Sequence, residues 1–247
     1  MNATGSRYPE IIRDLSPRVW RLYRQVLDVF LPPCCTVCNK VGTWLCDQCA
    51  RQIPLFDAPI CPQCGCPGNS QQPCRVCQDT PLHVAPIRAA YLFEGNIRDV
   101  IHALKYRGAR KAADVLGASM ALAWRHHAMQ SDILIPVPLH PDREIQRGYN
   151  QAVLIAKALG REIGIPVATR TLVRTRATAT QTKLNRQERR VNVSGAFACI
   201  ANTVFIEKRV TLVDDVATTG ATLNACADVL LANGAQSVSA FTLARAP

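Results

Sequence analysis

The 247-residue chain is 48% hydrophobic, with a net charge of +11 and a pI near 9.3, which allows a real core and favours an anionic partner, nucleic acid or a phosphorylated small molecule. No apolar run approaches the ~18 residues of a membrane span, and MNATGSRYPEIIRD at the start lacks the apolar centre of a signal peptide. The expectation is a soluble cytoplasmic protein without a stable membrane span.

Residues 1–33 make the first segment. Val19, Tyr23, Val26, Leu27 and Phe30 recur at helical spacing, with Trp20 and Leu31 widening the apolar face. Pro32 and Pro33 end the pattern. The expectation is an amphipathic helix that docks on its own protein, with a membrane surface or a partner as alternatives. Residues 34–80 form a second segment. Ten of the 12 cysteines fall between Cys34 and Cys77, and nine of the 16 prolines between Pro32 and Pro86.

Residues 81–247 change character. Strands are expected over 85–93, 132–137, 210–213 and 237–243, with a further short one over 165–168. Helices are expected over 96–106, 109–127, 149–163 and 221–233, and 197–205 reads as irregular or weakly β. Alternating strands and helices predict an α/β domain, a mainly parallel sheet flanked by helices. No long-period repeat or low-complexity tract is evident.

The cysteines form four pairs of one spacing: Cys35 and Cys38, Cys46 and Cys49, Cys61 and Cys64, Cys74 and Cys77. Two residues between thiolates let both reach one ion from a tight turn, and zinc takes four soft ligands in a tetrahedron. Four pairs therefore predict two closed, structural zinc sites. Sequential pairing is the simpler arrangement; interleaved pairing stays open. Cys34 and Cys66 complicate the ligand assignment, while Cys199 and Cys226 read as core residues.

Val210 to Leu223 reads VTLVDDVATTGATL. An apolar strand delivers Asp214 and Asp215 to its C-terminal end, where open α/β sheets bind ligands. The small and hydroxylated residues that follow open a helix, whose free N–H groups and dipole favour a phosphate. Carboxylates would repel that phosphate, but they suit what lies beside it in a sugar phosphate, the ribose hydroxyls or a Mg²⁺ ion reached through water. The pattern describes a ribose 5-phosphate site.

DDVATTGAT resembles the phosphoribosyl pyrophosphate (PRPP) motif of type I phosphoribosyltransferases. Together with ALKYRG (103–108), IPVPLH (135–140), RGYNQA (147–152) and the cysteine module, it makes the chain similar to the ComF/GntX family from about Leu31 onward. The resemblance implies a type I phosphoribosyltransferase-like sheet after a small N-terminal double zinc ribbon, and a link to DNA uptake or utilisation. It implies that Asp214 and Asp215 face the ribose hydroxyls and Mg²⁺, and that Val216, Ala217, Thr218, Thr219, Gly220, Ala221 and Thr222 hold the 5-phosphate.

Lys105 and Arg107, then His140 and Arg143 in the segment 139–143, and Arg147 are candidates for pyrophosphate. LHPDR lacks the glycine of the family's pyrophosphate loop. Residues 170–190 carry seven Arg or Lys and one acid, Glu188. They would close over PRPP, contact nucleic acid, or form a solvated loop.

Two functions follow. One is phosphoribosyl transfer with release of pyrophosphate to an acceptor the sequence does not name. The other is a non-catalytic competence factor that binds single-stranded DNA or a helicase and uses PRPP only as a ligand.

Overall fold

The structure, a computed structural model, describes residues 32–79, 82–176, 193, 195–200 and 204–247. The expected helix over 17–31 and residues 177–190 of the basic segment lie outside the described residues. No helix among the described residues is long and apolar enough to cross a membrane.

In chain order the elements are α1 (Asp47–Gln52), α2 (Arg75–Asp79), β1 (Ile87–Leu92), α3 (Asn96–Tyr106), α4 (Lys111–His126), β2 (Ile133–Pro136), α5 (Pro141–Arg147), α6 (Gln151–Ile163), β3 (Leu172–Arg174), β4 (Phe197–Cys199), β5 (Arg209–Ala217), α7 (Ala221–Ala232) and β6 (Ser237–Arg245). Four strands form one parallel sheet in the order β1-β6-β5-β2. All four residues of β2 and seven of nine in β6 are buried, as a sheet covered on both faces requires. Residues 165–168 extend it as a single parallel bridge. Leu134 N–H donates to the Pro166 carbonyl and Ala168 N–H to the Leu134 carbonyl, both at 2.9 Å.

Helices α4 and α6 pack on each other and on one face of the sheet, while α7 covers β5 and β6 on the other. This follows from handedness. The chain steps outward from β1 to β2 but back from β5 to β6, so right-handed crossovers put their helices on opposite faces. The direction reverses between β2 and β5, which opens a crevice at their C-terminal ends.

The cysteine module straddles the β1 edge of this sheet. Its first half, with Cys35, Leu45, Cys49, Ala50 and Ile53, is continuous with the α3–α4 core. Its second half, with Cys61, Cys64 and Cys77, joins the opposite core around α7. Phe56 N–H donates to the Ala90 carbonyl and Ile87 N–H to the Gln63 carbonyl, both at 2.8 Å. Gly65 has φ +67°, and a Cβ there would lie 2.3 Å from the Ile87 carbonyl oxygen. Only glycine allows so close a contact in that conformation.

Three features depart from the expectations. The strand bearing the two aspartates continues past Val213 to Ala217, because its edge stays paired to β6 through Arg245. A short helix, α5, stands where a pyrophosphate loop was expected. His140 caps it by accepting from Asp142 N–H at 3.3 Å, Pro141 occupies its first turn, and Gly148 closes it at φ 77°, all ordinary helix-boundary chemistry. The third is a structural repeat within the cysteine module. Cys35, Asn39, Lys40 and Gly42 make the same backbone hydrogen bonds as Cys61, Gly65, Cys66 and Gly68.

Candidate functional site

Each half of the cysteine module gathers sulfur around one point. Cys35, Cys38, Cys46 and Cys49 lie with their Sγ atoms within 4.8 Å of one another, and Cys38 and Cys46 are 3.7 Å apart. A tetrahedron with bonds of ~2.3 Å has edges of about this length. Burial would raise the Cys35 thiol, but the N–H groups of Cys38, Cys46 and Val37 outweigh it and bring the group down to about 6. The Cys61 thiol is likewise brought to about 6, where burial is outweighed by the N–H groups of Cys64, Cys74 and Gln63. Turns that stabilise thiolates in this way fit zinc, and the pairing is sequential. Zinc bound there supplies folding energy to a segment with little core of its own.

The second group does not follow the expected set in full. The four mutually close sulfurs are those of Cys61, Cys64, Cys66 and Cys74. Cys77 is buried just outside that group, its N–H donating to the Cys74 carbonyl at 2.8 Å.

The crevice between β2 and β5 is built around Asp214 and Asp215. β2 pairs with β5 only as far as Val213, where Val137 N–H donates to the Val213 carbonyl at 2.9 Å. The carboxylates begin at the next residue, beyond the last pairing of β5 with β2 among the described residues. Asp215 is 5% exposed. Its Oδ1 lies 3.0 Å from Lys105 Nζ. Its Oδ2 is buried and has no hydrogen-bond partner among the described residues. Asp214 accepts from Asp215 N–H at 2.8 Å. Burial, then the charge of Asp215, push the Asp214 carboxyl up to about 7, against the pull of that N–H, Lys105 and Arg174.

The anion loop is shorter than the motif. Val216 and Ala217 belong to β5, paired with Ala244 and Arg245. Thr218 to Gly220 form the turn, and Ala221 and Thr222 open α7. Gly220 stands at φ +77° at the helix N-cap, with Ile87 Cδ1 3.1 Å and Leu82 Cδ1 3.4 Å from where a Cβ would be. Thr219 Oγ1 accepts from Ala221 N–H at 3.3 Å. The helix dipole and the remaining N–H groups of α7 make this end attractive to an anion.

Of the basic candidates, the structure brings Lys105 to the carboxylates. Arg147 hydrogen-bonds to Gln151 Oε1 and lies over the ring of Tyr106, next to Lys105. Arg107 is exposed at the end of α3. Arg143 lies close enough to Arg174 for their charges to oppose. In RGYNQ, Asn150 caps α6 by accepting from Ala152 N–H, and its Nδ2 donates to the Val137 carbonyl, both at 2.9 Å. It thereby pins the end of β2 beside the crevice. Burial holds the Arg174 guanidinium below its usual range, and its nearby charges include Arg143 and Asp214. A cavity of about 360 Å³ adjoins the β2 end, lined by Pro136, Pro138, Val153, Leu172, Arg174 and Ile200 among others.

One residue was not foreseen. Arg245, 4% exposed, ends β6. Its Nε donates to the Cys64 carbonyl at 3.1 Å, and its Nη1 to the carbonyls of Ala217 at 2.8 Å and of Thr218. A single buried guanidinium thus joins the second cysteine group to the turn of the anion loop. Nothing in its local sequence, TLARAP, signals this.

The family model described as Double zinc ribbon domain matches residues 26–78, and the one described as Phosphoribosyl transferase domain matches residues 148–247. The chain is 31% identical to DNA utilization protein YhgH of Escherichia coli K12, covering 87% of this chain and 98% of that one. It is 34% identical to Competence protein F of Haemophilus influenzae (82% and 90%) and 30% identical to Competence protein ComFC of Bacillus subtilis (81% and 84%). Among solved structures, an adenine phosphoribosyltransferase from Thermoanaerobacter pseudethanolicus aligns with 60% of this chain and 86% of its own, at 15% identity and a TM-score of 0.35. A parallel sheet with the aspartate pair at its switch point, a double zinc ribbon on its edge, and this identity over most of the length lead to one conclusion: the chain is a member of the ComF/GntX family.

Proposed function

We propose that the protein binds PRPP together with Mg²⁺ in the crevice between β2 and β5 and acts in DNA uptake or utilisation in the cytoplasm, transferring the phosphoribosyl group with release of pyrophosphate. The observation that carries this reading is the buried Asp215 Oδ2 without a partner among the described residues, beside an anion-attracting helix start. A buried carboxylate oxygen left unmatched is costly, and a ribose hydroxyl or a hydrated cation would satisfy it. The turn from Thr218 to Gly220 would hold the 5-phosphate, and Asp214 and Asp215 the ribose hydroxyls and Mg²⁺. Bound there, Mg²⁺ would neutralise pyrophosphate charge.

The chain's own residues would do the positioning. Lys105 would hold the Asp215 carboxyl in place through its contact with Oδ1. Arg143 and Arg147 would add positive charge around the crevice. Such preorganised charge supplies most of the rate in transfers of this kind. The names of the relatives and the basic segment 170–190 also support a second reading, in which PRPP is only a ligand and the protein grips single-stranded DNA or a helicase. Pyrophosphate release from PRPP in an acceptor screen, lost in Asp215→Ala, separates the two. Release supports transfer. Saturable PRPP binding without release, joined to salt-dependent binding of single-stranded DNA, supports the second.

The position of Asp214 makes the proposed binding pH-dependent. Its carboxyl is raised to about 7 in the folded chain from the ordinary 3.8, so the folded state favours the protonated form. Its contribution to stability is full below about pH 4 and is lost as pH rises through 7. Mg²⁺ needs the ionised form. Affinity for PRPP with Mg²⁺ should rise between pH 6 and 8, while ligand-free thermal stability falls over the same range by an amount that Asp214→Asn removes. Paired titrations and melts at pH 6, 7 and 8 check both slopes. A flat affinity profile would show that Asp214 does not titrate there.

A further inference from the structure

The two halves of the cysteine module are a structural repeat, and they differ at one chemically decisive place. In the first half, Cys35 N–H donates to the Lys40 carbonyl at 2.8 Å; in the second, Cys61 N–H donates to the Cys66 carbonyl at 2.9 Å. The turn that carries a lysine in one half carries a thiol in the other. The first half therefore gathers four sulfurs and the second gathers five. Cys66 is one of the four that lie within 4.8 Å of one another. Cys77, the counterpart of Cys49, is buried beside Cys61 and Cys64, with its N–H on the Cys74 carbonyl at 2.8 Å. Cys64 and Cys74 lie 3.7 Å apart, and Cys61 Sγ accepts from Cys74 N–H at 3.2 Å, so the other three ligands are held in place by the knuckle itself. Zinc in a structural site takes four ligands, and one of five sulfurs must stay outside.

We propose that the second zinc site has a redundant fourth ligand. Cys61, Cys64 and Cys74 are fixed, and Cys66 and Cys77 are interchangeable in the remaining position. Cys66 approaches on the turn of the knuckle and Cys77 from α2. Cys66 lies within 4.8 Å of both Cys64 and Cys74, and Cys77, whose N–H donates to the Cys74 carbonyl at 2.8 Å, packs in one buried cluster with Cys61 and Cys64, so exchange needs no rearrangement of the other three. The first site has no such spare thiol within its group.

The test is a set of alanine variants of the full chain, read by zinc content and by the absorption of the cobalt-substituted protein. Alanine supplies no ligand atom, and the cobalt bands separate a four-thiolate site from three thiolates plus water. The wild type should carry two zinc ions. Cys66→Ala and Cys77→Ala should each keep two, with four-thiolate cobalt spectra. The double variant should keep one, as should Cys49→Ala in the first site. If Cys77→Ala alone loses a zinc, fails to fold, or shows a three-thiolate spectrum while Cys66→Ala does not, Cys66 is not a ligand and the proposal is wrong. If Cys66→Ala alone has that effect, Cys66 is a fixed ligand and interchange is wrong. A wild type without zinc would instead remove the zinc reading itself.

Discussion

Asp215→Asn should weaken binding of PRPP with Mg²⁺ by about 100-fold or more, about 2.7 kcal/mol, while the protein stays folded. The side chain keeps its shape but loses its charge. One oxygen now pairs with Lys105 at 3.0 Å, and the other is buried without a partner among the described residues. Both would matter to a hydrated cation or a ribose hydroxyl, because a buried charge–dipole contact is worth more than an exposed one. An asparagine keeps one acceptor oxygen and puts an amide NH2 donor where the other acceptor stood. The cost to stability should be small, because Lys105 is one-quarter exposed and can turn its ammonium to water. Calorimetric titration measures the first effect and thermal unfolding the second. Unchanged affinity in a folded Asp215→Asn protein would mean that the pair does not face the ligand.

Arg245→Met should destabilise the fold by about 2–4 kcal/mol. Methionine fills much of the volume but donates nothing. The carbonyls of Cys64, Ala217 and Thr218 would each lose a donor in a region with little water to replace it. Two consequences should accompany the loss of stability. The second zinc should be released to a chelator faster than in the wild type, and PRPP affinity should fall although no proposed ligand contact has been touched. Denaturant unfolding, timed zinc release and PRPP titration read the three. Reduced stability with unchanged zinc release and unchanged affinity would show that Arg245 merely fills the core.

Much of the architecture was legible because it is written in local pattern. Helix α3 occupies the 96–106 expected for it, and β5 announced its buried core as VTLV. The limits of that reading are equally local. Strand β5 continues through two aspartates, a valine and an alanine because β6 pairs with it there, and that partner lies beyond the following helix in sequence. Helix α5 was missed although HPDREIQRG carries a cap, a first-turn proline and a closing glycine, because the segment was weighed as an anion loop.

The site divides in the same way. The aspartate pair and the loop were recognisable as a motif. That Lys105 reaches Asp215 depends on α3 packing beside the crevice, and the role of Arg245 depends on the tertiary approach of the cysteine module to the sheet. The fifth sulfur of the second group was visible as Cys66, yet only its place on the knuckle turn brings it to the other ligands.

The most direct test is calorimetric titration of the zinc-loaded protein with PRPP, with and without Mg²⁺, at pH 8. Saturable one-to-one binding that requires Mg²⁺ and is lost in Asp215→Asn is the predicted result. A folded, zinc-loaded protein that takes up no PRPP at millimolar concentration (a Kd weaker than ~1 mM corresponds to less than about 4 kcal/mol) would contradict the account.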